Sequence, residues 1–293
     1  MLQLTNTVPV AVVIPTYNRG AAVISVLEKI EKCDPKPAEI WVHVDLGDGI
    51  LERELNQRFP SVEVLTSPTR LGPGGGRHRC LLACNTPYAV SFDDDSYPVD
   101  SDFFSQVIRL FSEHARAAVF GARIWHRDEP AKGRTETMIR IPSFVGCGHA
   151  IRLAAYRKIR GYLARPVAFR MEESELSLQL FAAGWEIYES GHLRVFHDTD
   201  LGHRESAEIT SGSITNVGVC AFLNYPIIGW GWGLAQVTNL VVWYIRTGHI
   251  RGICSGILRI PADCYRNRQY RNPIAWQTLK RFRHFNRTGM ERR

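Results

Sequence analysis

The chain has 293 residues, 45% of them apolar and 22% charged, a balance that supports a substantial core and excludes a disordered or fibrous protein. Its net charge of +7 is unevenly spread: residues 246–293 carry twelve Lys or Arg against Asp263 and Glu291, so the first 245 residues sum to about −3. The excess positive charge thus belongs to a tail, which excludes a uniformly basic nucleic-acid-binding fold.

Residues 8–14, Val-Pro-Val-Ala-Val-Val-Ile, form a nearly continuous apolar run, as expected for a strand covered on both faces. Pro15-Thr-Tyr-Asn-Arg-Gly20 breaks it, and Val23, Val26, Leu27 and Ile30 then recur at helical spacing. Residues 39–45 read as the next strand, ending in Asp45, with a break at Leu46-Gly-Asp-Gly49. A helix is expected over 52–59 and a short strand over 62–65. Gly72-Pro-Gly-Gly-Gly76 reads as a flexible lead into a helix from Arg77 to about Asn85; its spacing matches neither a P-loop nor a dinucleotide fingerprint. Such alternation predicts an α/β fold with a mostly parallel sheet.

Tyr88-Ala-Val-Ser-Phe92 is the next expected strand, and it runs directly into Asp93-Asp94-Asp95. In open α/β sheets, ligands bind beyond the carboxyl ends of strands. Three crowded carboxylates there repel one another unless cations or donors compensate them, and hard oxygen ligands suit Mg²⁺ or Mn²⁺. Further along, 117–125 reads as a strand, 126–137 as a charged, mobile segment, and Phe144 to about Gly161 as the opening of a helix and its body. A strong helix is expected over 172–183, followed by two closing strands over 185–188 and 193–197.

Seven cysteines, odd in number and scattered, read as reduced thiols of a cytosolic protein. The N-terminus has no basic region followed by an apolar core, so no secretion signal is expected. Residues 209–245 carry no charge at all. With Gly229, Gly231, Gly233, Gln236 and Asn239 in its second half, this stretch is marginal for spanning a bilayer. Its aromatics, Trp230, Trp232, Trp243 and Tyr244, followed by Arg246, Arg251 and Arg259, fit a helix lying on an anionic membrane surface.

Taken in order, Pro15-Thr-Tyr-Asn-Arg19, Asp45, Arg77 after the glycine run, Phe92-Asp-Asp-Asp95, Gly148, Glu172-Glu173 and Gly184-Trp185 resemble the motif series of the family 2 glycosyltransferases. The resemblance covers roughly Val8 to His203. It implies the GT-A nucleotide-diphosphosugar transferase fold over residues 1–205; residues 206–293 read, from their own pattern, as a helical, basic, membrane-associated region. It further implies inverting, metal-dependent transfer of a sugar to a hydroxyl acceptor, lipid-linked or a surface polysaccharide.

Residue by residue, the resemblance assigns Pro15, Thr16, Tyr17 and Asn18 to the nucleoside and Asp45 to the base or ribose, with Asp48 a competitor. Arg77, Asp93 and Asp94 join the nucleotide-sugar site, Asp93 meeting ribose or sugar. Asp95 holds Mn²⁺ or Mg²⁺ against the diphosphate, His197 is a further metal ligand, and Glu173 is the general base. His78 replaces the family's usual Asn and is expected to face solvent. No Gln-x-x-Arg-Trp sequence of the processive synthases occurs, which points to addition of a single sugar. The competing readings are a nucleotidyltransferase, whose basic glycine-rich signature after the first strand is missing, and nucleic-acid binding by the tail, for which no known module is present. The expected location is the cytoplasmic face of the cell membrane.

Overall fold

The computed structural model describes residues 6–47, 49–166, 171–199 and 206–289. They divide into two compact units, residues 1–166 with 183–199, and residues 167–182 with 200–293.

The first unit is built on one mixed sheet. Its elements are β1 (Thr7–Thr16), α1 (Gly20–Ile30), β2 (Lys36–Asp45), α2 (Ile50–Arg58), β3 (Val62–Ser67), α3 (Gly72–Ala83), β4 (Tyr88–Ser91) and β5 (Ser96–Pro98). They continue with α4 (Phe103–Glu113), β6 (Ala117–His126), β7 (Met138–Arg140), β8 (His149–Arg152) and α5 (Leu153–Tyr156). The chain then passes through α6 (Glu172–Ala182), which belongs to the second unit, and returns as β9 (Glu186–His197). Strand order is β3-β2-β1-β4-β8-β6-β9-β5, with β7 also on β9. The β3-β2-β1-β4 half is parallel, so Thr16, Asp45 and the residues after Ser91 leave the sheet at one edge.

Central β1 is buried on both faces, Val10 to Ile14 being fully covered. Alternation along a strand sends successive side chains to opposite faces. Val10, Val12 and Ile14 join a core with Val23, Leu27 and Ile30 of α1 and Phe103, Phe104, Val107 and Phe111 of α4. Pro15, of the other parity, meets α3: a Cβ on Gly76 would lie 3.1 Å from the Pro15 Cβ and 2.8 Å from His43 Nδ1. The glycines therefore let α3 sit close on the sheet, and they are the first turn of that helix rather than a flexible lead into it.

Three other expectations are corrected. Residues 149–152 form strand β8, not part of a helix, because the chain must cross between β4 and β6; only the four residues of α5 turn helically after it. The two closing strands are one, β9, whose register against β6 shifts between Ala122 and Arg123, a bulge absorbing Ser190 to Leu193. The charged segment 126–137 is tied down: Arg134 pairs with Asp100 and Asp102, Lys132 Nζ donates to the Ile124 carbonyl at 2.6 Å, and Thr135 N donates to Gly191 O at 3.2 Å.

The second unit is helical: α6, α7 (Ala207–Asn224), α8 (Trp230–Arg246), α9 (Ile253–Arg266) and α10 (Trp276–Thr288). Leu178 of α6 shares a small core with Ala221 and Tyr225 of α7 and Leu279 and Phe282 of α10. Asn224 donates to Glu175 Oε1 at 2.9 Å, satisfying a carboxylate that is almost fully buried. Helices α7 and α9 approach closely enough for Thr215 Oγ1 to donate to the Gly256 carbonyl at 2.9 Å. No helix among the described residues is long and apolar enough to cross a membrane.

Candidate active site

The three aspartates follow β4 in a turn whose conformation is set by local bonds. Phe92 N donates to Val13 O at 3.1 Å, which extends the parallel ladder one residue past β4. Asp93 N donates to Ser96 Oγ at 2.8 Å and Ser96 N to Asp93 O at 3.1 Å, closing the turn. Beyond it, β5 pairs with the end of β9, Ser96 opposite His197, and Asp198 N donates to Asp95 O at 2.8 Å.

Each aspartate meets a different partner. Asp93 Oδ1 accepts from Arg77, a buried guanidinium of α3 that also donates through Nε to Ser91 Oγ at 2.9 Å. Asp94 accepts from Thr16 Oγ1 at 2.8 Å and from Arg19 at 2.8 Å. Asp95 accepts from Arg19 at 2.9 Å, and its Oδ1 lies 3.0 Å from His197 Nε2, which stands 3.9 Å from Asp93. Burial raises the Asp94 carboxyl to about 6 against the opposing pull of Arg19 and Thr16. Burial would raise Asp95 too, but the hydrogen bonds and charges of His197 and Arg19 outweigh it and hold that carboxyl below its ordinary value.

The cluster thus unites Thr16 of β1, Arg77 of α3, Asp93, Asp94 and Asp95 of the turn after β4, and His197 of β9, all in one unit. Arg19 completes it; the sequence places it as the last residue of the first motif without a role of its own. Its two partners lie 75 and 76 residues away, so only folding reveals the pairing. Cys147 is a second addition, buried, with Sγ 3.5 Å from His197 Nδ1.

Pro15 lies at the end of β1 against α3. Tyr17 is partly exposed with the Arg70 guanidinium 4.7 Å above its ring, and Asn18 takes a left-handed backbone, φ 54°. Asp45, at the next strand end, is committed to α3: its carboxylate accepts from Leu71 N at 2.9 Å, Gly72 N at 2.8 Å and Ser67 Oγ at 2.8 Å. That places an anion where the orphan amides of a helix start need one. Asp48 lies outside the described residues. His78 does not face solvent as expected; its Nδ1 is 2.7 Å from the Tyr156 hydroxyl, and burial lowers its pKa. Glu172 and Glu173 open α6 in the second unit, with Glu175 behind them, an acidic first turn that suits the helix dipole.

The donor set fits a divalent cation. Carboxylate oxygens with one imidazole suit Mn²⁺-type ions, and two buried carboxylates here are already compensated by a guanidinium, the mark of a site that needs positive charge. Asp95 Oδ1 and His197 Nε2 lie 3.0 Å apart.

Comparison with solved structures gives the fold independently. The GalNAc-T7 crystal structure with UDP, GalNAc and Mn²⁺ aligns with TM-score 0.60 at 15% identity, over 89% of this chain and 57% of that one. The mannosyltransferase PcManGT from Pyrobaculum calidifontis, in complex with GDP-Man and Mn²⁺, aligns with TM-score 0.56 at 13% identity, over 97% of this chain and 88% of that one. S. aureus TarS 1–349 aligns with TM-score 0.56 at 14% identity, over 97% and 93%. A search of the curated protein sequences found no match. The sheet and its neighbours identify the GT-A fold, and residues 11–171 match the profile of Glycosyl transferase family 2. With more than half its length matched, the chain belongs to glycosyl transferase family 2.

Proposed function

We propose that this glycosyltransferase is inverting, metal-dependent and non-processive, moving one sugar from a nucleotide-diphosphosugar to a hydroxyl of a lipid-linked or polysaccharide acceptor. The observation that carries the reading is the meeting of Asp95 and His197 at 3.0 Å, beside Asp93 and Asp94, at the carboxyl edge of a parallel half-sheet. Mn²⁺ with a nucleotide or nucleotide sugar in two structural neighbours supports it. A cation held by Asp95 and His197 supplies charge neutralisation for the departing nucleoside diphosphate.

The chain's own residues do the rest. Thr16, Tyr17 and Asn18 form a turn to receive the nucleoside, and Pro15 fixes its start against α3. Arg77 holds Asp93 oriented toward ribose or sugar, while Asp94 anchors the turn to Thr16. Asp45 sets α3 and its loop beside the base. Glu173 takes the proton from the acceptor hydroxyl, which a direct in-line displacement requires of one base and no enzyme nucleophile.

Exposed side chains of the second unit support an acceptor at a membrane surface. Ile227, Ile228 and Leu234 are about 70% exposed and Leu258 76%, alongside exposed Arg246, Arg251 and Arg259. Exposed apolar side chains flanked by arginines suit the headgroup boundary of an anionic leaflet, here the cytoplasmic face, with no nucleic-acid partner.

The test is a panel of UDP- and GDP-sugars with Mn²⁺, reading nucleotide release and Mn²⁺-dependent nucleotide affinity. At least one donor should turn over, EDTA should stop it, and Asp95→Ala should abolish the Mn²⁺-dependent part of binding. Unchanged Mn²⁺-dependent affinity in Asp95→Ala would sink the metal assignment.

A further inference from the structure

His197 is shared between two faces. Its Nε2 turns toward Asp95 and Asp93, and its Nδ1 toward the thiol of Cys147. Among the described residues, Asp93, Cys147 and His197 are the group whose ligand atoms all fall within 4.8 Å of one another. A thiolate changes the metal chemistry, because sulfur and imidazole together favour Zn²⁺ and softer ions over Mn²⁺ or Mg²⁺. We propose that Asp93, Cys147 and His197 form a thiolate-bearing site for Zn²⁺ or a like ion, sharing His197 with the hard-cation position.

The geometry suits such an ion. Tetrahedral zinc with Zn–S of about 2.3 Å and Zn–N of about 2.0–2.1 Å places its sulfur and nitrogen ligands about 3.5–3.6 Å apart. Cys147 Sγ and His197 Nδ1 stand 3.5 Å apart. The third ligand needs a small movement: Asp93 is held by Arg77 through Oδ1, and rotation about its side-chain bonds brings Oδ2 inward. With three protein ligands the fourth position stays open, as in zinc sites that bind a further group. Cys147 is 2% exposed, so bulk oxidants and alkylating agents are kept from it, whereas the Asp93 side, 30% exposed, gives a small ion its way in. As at other thiolate sites, the sulfur becomes a ligand by giving up its proton as the ion enters.

Zinc on Nδ1 leaves Nε2 facing Asp95, so the two positions share one imidazole ring through its two nitrogens. This inference uses the His197 of the proposed reading, but its test involves neither nucleotide nor sugar, so its failure and that of the transferase reading are separate results.

Cobalt(II) is the probe, since a bound thiolate gives a ligand-to-metal charge-transfer band in the near ultraviolet that oxygen and nitrogen ligands do not. Metal-free full-length protein titrated with Co²⁺ should develop the band, lose it on addition of equimolar Zn²⁺, and keep it on addition of equimolar Mn²⁺. In Cys147→Ser the band should vanish and Zn²⁺ affinity fall at least tenfold. The double variant Cys254→Ser/Cys264→Ser, which removes the two cysteines that are not buried, should keep the band in full. A wild-type protein without the band overturns the proposal. So does a band that survives in Cys147→Ser, or one that disappears in the double variant, and the last result stands even if Cys147→Ser fails to fold.

Discussion

Replacing Asp45 separates two meanings of one carboxylate. The family resemblance gives it to the base or ribose, whereas its oxygens meet two amides at the start of α3 and the Ser67 hydroxyl, with the side chain almost wholly buried. Leu71, the residue preceding α3, has no side-chain cap of its own, so Asp45 supplies the missing acceptor from the neighbouring strand. Loss of a helix cap costs about 0.5–2 kcal/mol, and hydrogen bonds to charged groups contribute about 1.5–3 kcal/mol each. Asp45→Ala removes the acceptor for both amides and leaves Ser67 buried, a loss of roughly 3–5 kcal/mol after water recovers part of it. Asp45→Asn keeps one carbonyl acceptor and should lose about half as much. For a chain of this size, each kcal/mol shifts the midpoint by roughly 2–4 °C, so Asp45→Ala should melt on the order of 10 °C lower. Urea unfolding followed by circular dichroism, with and without nucleoside diphosphate, reads both roles. Asp45→Ala within 0.5 kcal/mol of wild type, yet with weakened nucleotide binding, would refute the capping account and leave the ligand role alone.

Glu173→Gln should keep donor binding and lose about 10²-fold or more in transfer, the scale of a general base; full activity in that variant together with a dead Glu172→Gln would move the base by one residue. His43 is fully buried with its Nδ1 unpartnered, and burial lowers its pKa. The unfolded chain therefore takes up a proton below about pH 6.5 that the folded chain refuses, so stability falls as pH drops through that value, by up to about 1.4 kcal/mol per pH unit. Urea titrations at pH 7.5 and 5.5 should show this slope in wild type and a flatter one in His43→Leu. For the membrane reading, removing residues 246–293 is a poor probe, because Leu279 and Phe282 belong to the core of the second unit. Reversing Arg246, Arg251 and Arg259 to Glu should instead weaken sedimentation with anionic vesicles at least tenfold, at about 1 kcal/mol per charge, and leave neutral vesicles unaffected; equal binding to anionic vesicles would remove the electrostatic contribution.

The first half of the sheet was legible because its central strands, β1 and β4, are largely buried and read as apolar runs. β1, β2 and α1 fall close to where their patterns place them, and the aspartates follow a strand as expected. Four-residue β8 has no period to read, and His149-Ala-Ile-Arg152 fits helix or strand equally until its two neighbours choose. The glycines of α3 signalled flexibility by composition, although what they provide is closeness to His43 and Pro15. The gap between the two strands expected over 185–188 and 193–197 is a bulge within one strand. Gly148, by contrast, was singled out by resemblance and has a physical reason to be glycine: φ is 72°, and a Cβ would lie 2.5 Å from Val195. Arg19, quoted in the first motif, and Cys147 carry no role in the sequence reading because their meaning lies in partners about 75 and 50 residues away, which no local pattern encodes.

The position of β9 bears on when this protein acquires its site during synthesis. β5, the strand that closes the aspartate turn, has β9 as its sheet partner, and β9 is also the parallel neighbour of β6. Between β6 and β9 the chain makes β7, β8, α5 and then α6 of the other unit. Residues 93–95 are therefore polymerised about a hundred residues before the strand that fixes them, and a nascent chain holding β1 to β4 has the turn at residues 15–18 but not His197. Pairings so distant in sequence form late and slowly. A ribosome stalled before residue 186 should thus display a collapsed, partly ordered sheet whose three aspartates have no fixed geometry, while release of the next dozen residues completes sheet and site in one step.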